Sequence, residues 1–145
     1  MSHYSLLFNT IAGHIKTAWN VETTTPGRAP KQILQLPRAV LTLENCERIL
    51  AGRSVEQIWN FTIGGQFALP SSSVDPQELM NDKAEVLIDL LTPFNENTPP
   101  PAVPAKFGTI GYMPFVSSWE PIPLDDADNS VAVEITFSVR TTVWQ

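Results

Sequence analysis

Bond-making chemistry needs nucleophiles, proton carriers or metal ligands held close together, and this sequence offers few of them. Its histidines are His3, near the start of the sequence, and His14. Its single cysteine, Cys46, has Arg48 two residues on and no histidine near it in sequence. One Cys and two scattered His do not compose a zinc centre, which takes four ligands at paired spacings. Arg48 alone is weak support for an activated thiolate, so an inert cysteine is expected at position 46. With one Cys, an intrachain disulfide is excluded. Asp126, Asp128 and Ser130 stand at positions 1, 3 and 5 of a calcium loop, but Val131 falls where that loop turns on Gly and Phe137 where it needs Glu. No phosphate-cradling Gly loop, nucleophile elbow or metal-binding helix motif occurs. An enzyme would have to use a carboxylate such as Glu44 or Glu134, shifted in titration by a pocket. The sequence predicts no catalytic, cofactor-binding or metal-binding residues.

The aromatic and cationic residues point instead to contact surfaces. Tyr112, Phe115 and Trp119 lie in a stretch broken by Gly108, Gly111 and Pro114, and Trp144 is the penultimate residue of the sequence. Aromatics in irregular segments and near termini serve as interface anchors, or else cover a sheet. Arg28 and Lys31 stand in a loop whose other charge is Glu22, where acidic groups of a neighbour could meet them. These six residues are the candidate interface set.

The elements that would position them can be read from periodicity. Residues 131–144 alternate: Val131, Val133, Ile135, Phe137, Val139 and Val143 on one side, Glu134, Thr136, Ser138, Arg140 and Thr142 on the other. A period of two over a β-branched run predicts a long strand with one dry and one wet face. Leu7, Ile11, Ile15 and Ala18 predict a helix over 3–18, capped by Ser2 or Ser5. A strand is expected over 38–44, then a stretch to Arg53 that suits either a helical turn or a strand running to a turn at Gly52. A further strand over 55–67 puts Trp59, Phe61, Ile63 and Phe67 on its dry face, with a bulge or bend expected at Gly64–Gly65. Asp75, Pro76 and Glu78 open a second helix that Pro93 ends, with Leu79, Val86, Leu87, Leu90 and Leu91 as its apolar face. Loops are expected at 20–35, at the Pro-rich 93–105 and at the acidic 120–129, with strand character over 106–119. The order α-β-β-α-β-β predicts an α+β fold: one domain over 1–145, with an antiparallel twisted sheet of about four or more strands and two main helices on one face.

Composition bounds the function. A chain of 145 residues suits one domain with a real core. No run of 18 apolar residues is present to span a membrane, and the sequence begins without the pattern of a signal peptide. The net charge of −6 argues against sequence-specific nucleic-acid binding. That charge is uneven: residues 1–53 carry six Lys or Arg and three Glu, residues 54–145 three Lys or Arg and twelve Asp or Glu. Such a subunit could meet copies of itself through surfaces of opposite sign.

A helix, a loop, a Leu-Pro-Arg-Ala-Val-Leu-Thr-Leu strand, a hairpin partner, a capped amphipathic helix, a long loop and a final Val-Glu-Ile-Thr-Phe-Ser-Val-Arg strand follow one another over nearly the whole chain. That order resembles the tail terminator proteins of long-tailed bacteriophages, also described as tail completion or head–tail joining proteins. The resemblance implies a structural virion protein without enzymatic activity or cofactor. It implies a homo-oligomeric ring, commonly a hexamer, at the head-proximal end of the tail tube, assembled in the host cytoplasm. There the ring would stop tube polymerisation, join the tube to the head–tail connector and let DNA pass through. The Pro-rich segment at 93–104 and the acidic loop depart from the family pattern. Another neck or baseplate adaptor of a virion, and a small enzyme with an unrecognised site, are the competing expectations.

Overall fold

The computed structural model describes residues 2–25, 36–71, 73–92, 106–122 and 130–144. Helix α1, His3–Trp19, forms where Leu7, Ile11, Ile15 and Trp19 recur every four residues, and these four line its buried face. The side-chain oxygen of Ser2 accepts from the Ser5 backbone N–H at 3.1 Å and caps the start. Asn20, with φ of 54°, closes the end in the left-handed region that Asn tolerates.

Strand β1 is Thr23–Thr24, β2 is Arg38–Ala51 and β3 is Ser54–Ala68. Helix α2, Pro76–Leu91, opens on Asp75, whose carboxylate accepts from the Gln77 N–H at 3.0 Å, with Pro76 at the first helical position. Strands β4 (Lys106–Phe107), β5 (Gly111–Pro121) and β6 (Ser130–Trp144) follow. One sheet contains all six strands in the order β1-β2-β3-β6-β5-β4. The sheet is mixed. β1 runs parallel to β2, while every other pair is antiparallel. The expected all-antiparallel sheet is corrected at this edge, where a strand of two residues inside a Thr-rich loop carries no periodic signal.

The core lies between the two helices and one face of this sheet. Phe61, Ile63, Val133, Ile135, Phe137 and Val139 are fully buried under Leu7, Ile11, Ile15, Leu87 and Leu91. Each such side chain contributes roughly 1.5–3 kcal/mol on leaving water. α1 lies over β1 and β2, and α2 over β5 and β6.

One open alternative is decided and two local expectations change. Residues 45–51 are strand, the second of the two forms expected, and β2 continues to a two-residue turn at Gly52–Arg53, closed by the Ala51–Ser54 pair. Gly52 has φ of +63°, which a tight hairpin turn needs. No bulge occurs at Gly64–Gly65. β3 keeps its register there, and the shift falls between Leu43 and Asn45. Gly65 is required for a different reason: a Cβ on it would lie 2.6 Å from the Trp19 ring. Finally, Val86 is 48% exposed, whereas Met80 and Ala84 are buried. The buried face of α2 runs through Met80, Ala84, Leu87 and Leu91, about a quarter-turn from the face expected.

Candidate functional site

Two features of the fold remain open to contact: the far face of the sheet, and an arm at one end of it. Even-numbered residues of β3 and β6 point away from the helices. In register across the strands lie Thr42, Thr62, Thr136 and Ser118, a row of four hydroxyls. The Thr62 hydroxyl donates to Glu44 at 2.9 Å. Glu134 stands directly opposite Glu120. Like charges in that position repel.

Further along the same face Arg140 pairs with Tyr112 in register, and its Nη1 donates to Glu56 Oε2 at 3.4 Å. The Thr142 hydroxyl lies 3.5 Å from the Tyr112 hydroxyl and donates to it. Burial, then the hydrogen bond to Glu56, pushes the Tyr112 phenol above its usual range. A shallow groove of about 220 Å³ opens on the sheet face between Arg38, Val40, Gly64, Gln66, Ile122 and Ala132. Its lining holds hydrogen-bonding groups, with Arg38 Nε donating to Gln66 Oε1 at 3.0 Å, but no carboxylate, thiol or imidazole. No group of three or more His, Cys, Asp or Glu able to hold a metal gathers among the described residues.

The arm is built from strand length. Burial on β3 begins at Trp59, and residues 54–58 before it are half-buried. On β2, residues 44–48 and Leu50 are exposed. Trp59 stands opposite Cys46, so residues 47–51 carry the β2–β3 hairpin roughly 15 Å beyond the buried part of the sheet. β6 supports the hairpin as far as the Trp144–Val55 pair. The root of the arm is fastened by the buried Trp59 indole, which donates to Thr141 Oγ1 at 2.9 Å. At its tip Leu50 is 81% exposed. Arg48 and Arg53 are exposed beside it.

The expected interface residues are not brought together. Tyr112 and Phe115, paired with Arg140 and Ser138, point to the open face, and Phe115 is 60% exposed. Met113 between them has φ of +52° in a register shift that sets one extra residue of β5 against β6. Trp119, opposite Ile135, turns to the other face and packs against the core. Trp144 pairs with Val55 at the arm, and its side chain lies outside the described residues. So do Arg28, Lys31, Asp126 and Asp128. His14 is half-buried with its ring 5.6 Å from that of Phe107, and burial lowers its pKa. Cys46 is exposed at the root of the arm, opposite Trp59, and desolvation raises its thiol despite Arg48. Sequence reasoning missed the arm tip. Its signal was there: Ile49-Leu50-Ala51-Gly52-Arg53, an apolar run into a glycine turn.

No protein-family model matches the chain, and no curated protein sequence matches it. Among solved structures, a chain from the virion of a native gene transfer agent particle superposes with a TM-score of 0.59. The two chains share a fold. The match covers 97% of this chain and 95% of the other at 13% sequence identity.

Proposed function

We propose that this chain is a structural virion protein of a phage-like, long-tailed particle, and that it forms a ring at the head-proximal end of the tail tube. The observation that carries this reading is the near end-to-end fold match to a chain of a gene transfer agent virion, a phage-like particle. The tail-terminator role within such a particle draws on the element order seen in the sequence. On this reading the partners are copies of the chain, commonly six, with the tail tube on one side and the head–tail connector on the other. DNA passes through the ring without being read. Arg28 and Lys31, with Tyr112, Phe115 and Trp144, supply contacts to those neighbours, while Trp119 serves the core; the chemistry is adhesion, with no cofactor.

The long arm and the polar open face support assembly, because a ring needs two different surfaces that meet in the same way at every joint. The test is removal of the gene from a particle that carries it. Tails of uncontrolled length and tail-less heads are expected. Tails of normal length that lack their distal end would assign the chain to a baseplate, and normal infectious particles would overturn a structural role.

A further inference from the structure

The arm tip and the outer face of α2 carry opposite charges around an exposed apolar centre. On the helix, Glu78, Asp82, Glu85 and Asp89 are exposed and follow one another at spacings of three and four, so they form a single acidic stripe. Val86, 48% exposed, sits on that stripe, one turn from Asp82 and from Asp89. The stripe is unfavourable to the isolated helix. Like charges at these spacings repel, and Asp89 lies in the last turn, where the helix dipole disfavours an anion and no basic residue is present. Lys83 does not relieve it, since its Nζ lies 5.2 Å from the centre of the Phe67 ring. On the arm, Leu50 is the most exposed large apolar side chain among the described residues, with Arg48 and Arg53 on either side. The ion pairs among the described residues are Lys16–Glu22 and Arg140–Glu56. Among the described residues neither arginine and none of the four helix acids forms an ion pair, and the Glu85 carboxylate accepts from Asn81 Nδ2 at 3.1 Å.

We propose that the occupant of the α2 face is a second copy of this chain. The arm tip of one subunit lies across the helix of the next, Leu50 against Val86, with Arg48 and Arg53 among Asp82, Glu85 and Asp89. The proposal rests on the ring reading and names the joint of that ring. Two observations select a copy over another partner. The surfaces match in sign and in their apolar centres, and they lie on different elements, as a head-to-tail contact requires. The arm also projects roughly 15 Å past the buried sheet, which brings its tip to the face of an adjoining subunit.

Charge reversal tests it. The arm variant is Arg48→Glu with Arg53→Glu, and the helix variant is Asp82→Lys with Glu85→Lys. All four positions are exposed, so melting temperatures should stay near that of the unaltered chain. Sedimentation velocity is run on the full chain, on each variant alone and on an equimolar mixture. Each variant alone should self-associate roughly tenfold more weakly or worse. The mixture should recover assembly with the two variants alternating, because every joint then pairs opposite charges. An oligomer that both variants leave intact would overturn the docking and preserve the ring reading. Impaired variants that their mixture does not restore would also overturn it. A full chain that stays monomeric at every concentration, with tail tube protein added, would overturn both.

Discussion

Replacing Gly65 with alanine would set a Cβ 2.6 Å from Trp19 Cζ3, 2.7 Å from Cη2 and 3.1 Å from Phe67 Cε2. The indole cannot move aside cheaply. Trp19 is 4% exposed, its Nε1 donates to the Lys83 carbonyl at 2.9 Å, and Phe67 stands edge-on to it at 5.0 Å between centroids. Overpacking of this kind costs about 1–3 kcal/mol. Loss or bending of the indole hydrogen bond would add about 0.5–1.5 kcal/mol. Removing a strand glycine returns about 0.5–1 kcal/mol. The net expectation for Gly65→Ala is destabilisation of about 2 kcal/mol. Its neighbour is the control. A Cβ on Gly64 would meet only the Val40 carbonyl oxygen, at 3.9 Å, so Gly64→Ala should stabilise by about 0.4–1 kcal/mol. Urea unfolding at low protein concentration reads both free energies, and in thermal melting a gap of several degrees in Tm should separate them. Equal effects at the two glycines would refute the claim that Trp19 occupies the space over Gly65. So would Gly65→Ala remaining destabilising by the same amount once Trp19 is changed to leucine, because residues in direct contact should give effects that do not add.

Four further outcomes follow from the same contacts. Leu87→Ala, at a fully buried site, should cost about 2–5 kcal/mol, while Asp82→Ala on the exposed stripe should change stability by under about 0.5 kcal/mol, both by denaturant titration. Thr141→Val should cost about 1–3 kcal/mol by leaving the buried Trp59 N–H without an acceptor, and a smaller loss would show water reaching the arm root. Because burial lowers the His14 pKa, the unfolded chain takes up that proton first as pH falls below 6.5. Stability should therefore decline through that window and decline less in His14→Gln, measured by melting from pH 7.5 to 5. The raised thiol of Cys46 should make its alkylation slower than that of a free cysteine at neutral pH and shift the rate profile to higher pH, in spite of its exposure.

Much of the scaffold was legible because burial and periodicity coincide in it. Leu7, Ile11 and Ile15 repeat every four residues and all face the sheet, and Val131 to Val139 alternate and all are buried on the odd positions. Caps at Ser2 and Asp75 were readable because a short polar side chain there has one local partner, two or three residues ahead. What stayed hidden depends on distant residues. Val86 sits among leucines, so its exposure shows only when Met80 and Ala84 are seen to hold the buried side. Gly64–Gly65 looks like a bulge until Trp19, far away in sequence, is placed on it. The split of Tyr112 and Phe115 from Trp119 arises from register shifts in β5, at Met113 and near Ser117, which reset which residues face outward. The interface surfaces were least legible. An exposed leucine beside two arginines has a meaning only when the strand that carries them is known to project.

The central claim is placement at the junction of head and tail, and the most direct measurement is gold labelling of an epitope-tagged copy in intact particles, read by electron microscopy. The account predicts label confined to the neck, where tail tube meets head connector. Label along the tube, at the distal tip, over the capsid, or on no particle at all would contradict it.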